Sequence, residues 1–203
     1  MKRTTMLKVL TSFAALGAAA SVAGLGTFAT FTSSTSASNS IASGTVSIAV
    51  GATGPANRLT IGANGLVAGD TVQRAVDLIN NGSGSSDNLA SIQLTTAAAP
   101  SSTLDTDASN GLQMAIDHCS VAWTESASPY TYTCGGATTT ALASRPVIGS
   151  NLALSNLASL TTGSTDHLRV ILTLPASAPN SLQGQSSTLS YTFVGTQRVA
   201  AAK

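Results

Sequence analysis

The 203-residue chain predicts an all-β protein, an antiparallel β-sandwich with one short helix, preceded by a cleaved N-terminal signal helix. Three observations carry that reading. Apolar and polar residues alternate in short segments, the period of a half-buried strand. Gly, Asn, Ser and Pro separate those segments, as turns require. Charged residues make up only 8% of the chain, so its polarity falls to Ser and Thr, and helix-favouring Glu and Lys are nearly absent.

The elements follow in order. Lys2, Arg3 and Lys8 form a basic start, and Val9 to Gly26 is largely apolar, uncharged and rich in Ala and Gly. Residues 1–30 therefore read as an export signal. A membrane anchor is the competing reading, since spanning becomes possible at about 18 apolar residues. The small residues of the run, and a Ser/Thr stretch after it with no basic cluster, favour the signal. Residues 31–45 form an N-terminal segment, 46–199 one sandwich domain, and 200–203 a frayed tail.

Within the domain, Val46, Ile48 and Val50 share one face of a first strand. Arg58 to Ile61 reads as a brief strand, and Thr71 to Ile79 as a longer one with Val72, Val76 and Leu78 inward. Arg74 interrupts that inward face, which places it near an edge or a sheet end. Asn80 to Asn88 is too rich in Gly and Ser to be buried. Ala90, Ile92 and Leu94 open the next strand, followed by a low-complexity loop from Thr95 to Ser109. Leu112, Met114, Ile116 and His118 then alternate. The one helix is Asn151 to Leu160, where Leu154, Leu157 and Leu160 follow a three-residue step. Leu168, Val170, Leu172 and Leu174 alternate up to Pro175, and Leu189, Tyr191 and Phe193 mark the last strand. No internal repeat is present.

Cys119 and Cys134 are the only cysteines. An exported chain with one isolated pair most simply forms one disulfide, and the intervening SVAWTESASPYTYT reads as strand, turn, strand, which brings the sulfurs together. Closing so short a loop contributes about 3 kcal/mol in the chain-entropy account. A metal pair or a redox couple is disfavoured, because the spacing is that of neither a zinc site nor a CxxC motif.

Three of the nine Lys and Arg lie in the signal, so six cations face eight acids, a mature formal charge of −2. No clustered basic face is available for nucleic acid. So little surface charge offers weak repulsion between copies and suits self-association.

Two segments carry a resemblance. GTFATFTSSTSASNSIASGTVSIAV, Gly26 to Val50, and PNSLQGQSSTLSYTFVGTQ, Pro179 to Gln197, are similar to the opening and closing segments of the TasA/camelysin family of exported bacterial proteins. Between them, VAGDTVQRAVDLINNGS resembles the family's Pro-Gly-Asp strand and Asn-x-Gly turn, with Ala68 in place of Pro. The Cys119–Cys134 hairpin is not part of the pattern in the best-known members. The resemblance implies a jelly-roll-like sandwich and a dedicated SipW-type signal peptidase cutting between Thr30 and Phe31 or within a residue or two. It also implies a donor strand, Phe31, Thr32, Ser33, Ser34, Thr35, Ser36, Ala37, Ser38, Asn39, Ser40 and Ile41, that adds to the sheet of the next subunit. An exposed edge offers unpaired N–H and C=O groups that an extended donor satisfies. Because each copy gives and accepts, the contact propagates into a filament. The partners expected are further copies of the chain, a matrix accessory protein and the signal peptidase, with membrane contact only through the uncleaved signal. The location expected is the extracellular matrix or cell surface.

Camelysin-like relatives are described as metalloendopeptidases, so an enzyme is the runner-up. The chain lacks HExxH, and its only histidines are His118 and His167. Each follows an aspartate, Asp117 and Asp166. Adjacent strand residues point to opposite faces, so neither dipeptide readily ligates one ion, and His118 falls on an apolar face where packed histidines are common. No GxSxG elbow or phosphate-binding Gly loop is present. Asp105 and Asp107 sit in DTDASNG, which lacks the terminal Glu of an EF-hand loop. Trp123, Tyr130 and Tyr132 form a binding platform or, more often in such hairpins, cross-strand packing pairs. The sequence-level expectation is a non-enzymatic, cofactor-free, self-assembling secreted protein; a monomeric surface adhesin or accessory matrix subunit is the third reading.

Overall fold

The computed structural model describes residues 47–60, 65–126 and 129–199. The expected signal, donor segment and C-terminal tail lie outside the described residues. Ten strands follow in order: β1 Ile48–Val50, β2 Thr71–Asn80, β3 Leu89–Ala98, β4 Gln113–Cys119, β5 Thr124–Ser126, β6 Thr131–Thr133, β7 Thr138–Pro146, β8 Gly149–Ala153, β9 Thr165–Thr173 and β10 Leu189–Gln197. They pair antiparallel into a five-stranded sheet, β1-β2-β9-β4-β7, a three-stranded sheet, β10-β3-β8, and the β5-β6 hairpin. A single α-helical turn, α1 Thr103–Thr106, is held by a Ser102/Asp105 capping box.

Alternation builds the core. Val76, Leu78, Met114, Ile116, Leu168 and Val170 project from the larger sheet and meet Ile92, Leu94 and Leu152 from the smaller one. Each such side chain contributes about 1.5–3 kcal/mol on burial. Strands β2, β4, β9 and β10 sit where the alternation placed them.

Four local expectations are corrected. Asn151 to Leu160 is not a helix: Asn151 to Ala153 belongs to β8, and the following residues turn. Leu152 and Leu154 are both buried, while Asn151 (φ 53°) and Asn156 (φ 58°) adopt the left-handed region that asparagine tolerates. The three-residue leucine step reflects a turn that packs onto the core. Arg58 to Thr60 is a turn rather than a strand, with Asn57 bridging to Val76, and Ile61 lies outside the described residues. The loop expected from Thr95 starts later, because β10 pairs with β3 as far as Ala98, and Leu89 takes the inward position read for Ala90. The Gly/Ser turn after β2 does bury two polar residues. Asn80 donates to the carbonyls of Asp87 and Ser159, and Asp87 accepts from the Ser83 backbone.

The two lateral sides of the sandwich differ. On one, Pro146 ends β7, the buried Val147 crosses the corner, and β8 begins in the other sheet. The Leu154 amide bonds the Ile92 carbonyl and the Ser155 amide bonds the Ala141 carbonyl, each at 3.0 Å, which sews the sheets together. On the opposite side β1 covers only Leu78 to Asn80 of β2, so Arg74 lies where β2 has no β1 residue opposite it.

Candidate functional site

The open side holds a cleft of about 830 Å³ between β2 and β10. Leu59, Leu66, Val72, Leu172, Leu189 and Tyr191 line it, with Arg74 on its wall. Burial in this apolar setting pushes the Tyr191 phenol up to about 12. Along the cleft runs β10, which among the described strands pairs with β3 alone.

The other edges are blunted. β7 carries register shifts against β4 and ends in Arg145-Pro146, β8 has five residues with a left-handed Asn151, and β1 has three. Part of the β2 edge is occupied, since Gly51 donates to Asp77 and Arg58 to the Ala75 carbonyl. β10, LSYTFVGTQ, has nine residues, no charge and no proline, and its only irregularity lies at Thr196/Gln197. It is the one long edge without those protections among the described strands.

The cysteines are joined as expected, with Cα atoms 5.7 Å apart. The disulfide ties the β5-β6 hairpin to the outer face of the larger sheet. Trp123 and Tyr132 are buried there on Ala75, so the aromatics are packing residues and not an exposed platform. Arg169 stacks 4.4 Å from the Trp123 ring centre, pairs with Asp117 at 2.6 Å and donates to the Tyr132 carbonyl. Glu125 accepts two bonds from Arg58, at 2.7 and 2.9 Å, and one from the Tyr132 hydroxyl at 3.0 Å. The Arg58 bond holds the Glu125 carboxyl below its ordinary range. Tyr130 lies between the guanidinium groups of Arg58 and Arg74, 5.1 and 5.4 Å from its ring centre.

The two Asp-His dipeptides fall on neighbouring strands, and each splits across the sheet. On the inner face His118 pairs with Asp166 at 3.2 Å; on the outer face His167 pairs with Asp77 at 2.7 Å. Asp166 is fully buried and also accepts from the Ala158 and Ser159 amides and the Ser159 hydroxyl. The carboxylate, not the imidazole, touches that serine, so the trio is a loop staple and cannot activate a nucleophile as a triad does. Asp105 accepts from Ser101, Ser102 and Ser187, and Asp107 from the Ser109 and Asn110 amides; both act as caps.

A family model described as camelysin metallo-endopeptidase matches residues 1–202. The chain belongs to the camelysin family. No curated protein matches it. The metal ion implied by the family description does not fit the described residues of this camelysin-family chain. A catalytic zinc takes three protein ligands beside its water. Here the two imidazoles lie on opposite faces, each beside a single aspartate, and among the described residues no group of three or more His, Cys, Asp or Glu could hold a metal.

Sequence reasoning missed Arg58, Glu125 and Tyr191. The signal available for Glu125 was its rarity, since it is the only glutamate in the chain.

Proposed function

We propose that the protein is a secreted structural subunit that assembles into fibres by donating its segment Phe31 to Ile41 to the β10 edge of the next copy. The observation that carries this reading is β10 itself, an unprotected nine-residue edge beside an apolar cleft. The donor, FTSSTSASNSI, is eleven residues long and uncharged, enough to run the length of β10. Main-chain bonds along the edge give affinity regardless of side-chain identity, and Phe31 supplies an apolar anchor. Cleavage at Thr30–Phe31 frees the donor and sets the time of assembly. Each subunit gives one strand and takes one, so growth does not close. The reading is non-enzymatic.

The test is negative-stain electron microscopy of the chain starting at Phe31, with and without chelator. Filaments insensitive to chelator, and lost when Phe31 to Ser40 is deleted, are the expected result. A persistent monomer at high concentration overturns autonomous fibre formation.

The family description supplies a second reading, a secreted metallo-endopeptidase. It predicts stoichiometric zinc that disappears on substitution of His118 or His167.

A further inference from the structure

The β5-β6 hairpin covers the outer face of the larger sheet, yet two of its side chains touch Arg58, next to the cleft-lining Leu59, and Arg74 on the cleft wall. Glu125 grips Arg58 through both carboxylate oxygens, at 2.7 and 2.9 Å, and the next residue, Leu59, lines the cleft. Tyr130 stacks against Arg58 and against Arg74, and Arg74 forms cleft wall.

Leu59 packs at the edge of the core, and its amide donates to the Asn57 side chain at 3.1 Å. Residues 51–60 contain no strand, and their ties to the larger sheet are the Gly51, Ala56, Asn57 and Arg58 contacts with Ala75, Val76 and Asp77. All of these lie before Leu59. A bidentate guanidinium–carboxylate pair has a defined geometry and carries more positional information than a single bond. Glu125 is itself held by the Tyr132 hydroxyl, and Tyr132 is buried on Ala75 beside the Cys119–Cys134 disulfide. A continuous chain of contacts therefore runs from the disulfide through Tyr132, Glu125 and Arg58 to the cleft rim.

We propose that the disulfide-stapled hairpin sets the acceptor cleft, with Glu125 and Arg58 as positioning residues for the incoming donor strand. This rests on the donor-strand reading above and names what controls its acceptor. Neither residue touches the donor's main chain. They hold Leu59 in the cleft wall it shares with Val72 and Tyr191, and a preformed acceptor binds without first ordering its rim.

The experiment uses the full chain from Phe31 and a synthetic peptide of residues 31–41 as competitor. Peptide capture is measured by fluorescence anisotropy and fibre growth from preformed seeds by light scattering, beside the thermal midpoint of each variant. Glu125→Gln removes the charge while keeping the shape and is expected to weaken peptide capture by ~5- to 20-fold, the lower part of ordinary coupling between sites. Thr133→Ala, at an exposed position of the same hairpin, is expected to leave it unchanged. Arg58→Lys keeps the charge but loses the fork and is expected to fall between. The pair Cys119→Ser with Cys134→Ser is expected to weaken capture as Glu125→Gln does, and if that variant does not fold, the Glu125→Gln arm decides.

A Glu125→Gln chain that captures peptide and elongates like the parent overturns the positioning role while the fibre reading stands. Weakened capture that merely tracks the thermal midpoint across all variants, Thr133→Ala included, also overturns it. A parent chain that neither captures peptide nor elongates overturns the fibre reading, and this proposal with it.

Discussion

Arg169 places its guanidinium 4.4 Å from the centre of the Trp123 ring while bonding Asp117 at 2.6 Å and the Tyr132 carbonyl at 3.2 Å. One cation thus fastens the hairpin to the sheet through two contacts, with Asp117 of β4 fixing the guanidinium. Arg169→Ala leaves Asp117 half-buried without its partner and is expected to destabilise the fold by about 2–4 kcal/mol. Arg169→Lys keeps charge but loses the planar stack and is expected to cost about 1 kcal/mol. Urea unfolding followed by tryptophan fluorescence reads both, since Trp123 is the only tryptophan.

Asp166 is the most consequential of the eight acids. Its carboxylate is fully buried and takes the Ala158 and Ser159 amides together with the His118 imidazole. Asp166→Ala orphans those donors and is expected to cost about 3–5 kcal/mol. The same substitution at Asp77, which is partly exposed, is expected to cost under about 1 kcal/mol. Chemical denaturation of the two variants separates them.

Acid destabilises this fold by a defined route. Bonds from Arg58 lower the Glu125 carboxyl, the Ser83 amide lowers Asp87, and the Asn110 amide lowers Asp107. At Asp105, burial acts upward, but hydrogen bonds from Ser101, Ser187 and Ser102 outweigh it. Each group ionises more readily folded than unfolded. Their stabilisation is therefore complete above the unfolded values of 3.8 for Asp and 4.5 for Glu, and is lost as pH falls through the lower folded values. Urea midpoints are expected to be flat from pH 5 to 7 and to drop below about pH 4. A midpoint that stays flat down to pH 3 contradicts this.

Alkali acts through Tyr191, whose phenol is raised from 10.0 to about 12 by burial in the cleft. The folded state holds this proton more tightly, so the contribution is intact below pH 10 and is lost as pH rises toward 12. Tyr191→Phe is expected to remove that part of the alkaline loss, read by phenolate absorbance against unfolding.

Reduction tests the staple. The disulfide closes a separation of 15 residues, and its loss is expected to cost about 3 kcal/mol. Cys119 is fully buried and Cys134 only partly so, and thiol attack in native buffer is therefore expected at the Cys134 sulfur. Mapping which cysteine carries the mixed disulfide checks it.

Much of the fold was legible because it is local. Alternation in β2, β4, β9 and β10 is a property of adjacent residues, and it fixes which side chains face inward whatever the strands pair with. The splitting of Asp117 from His118 follows from the same period, and the pairing of the two cysteines from there being only two.

The tertiary structure decided what local pattern leaves open. A three-residue leucine step serves a helix or a turn laid on a core, and only burial of Leu152 and Leu154 with left-handed asparagines before and after them chose the turn. Which edge stays open depends on pairings such as β10 with β3, nearly a hundred residues apart, and on β1 stopping at three residues. Arg58 and Glu125 stand 67 residues apart, and no spacing rule connects them. Side-chain period is set by the chain's own geometry, whereas neighbours across a sheet are set by the lowest free energy of the whole packed sandwich.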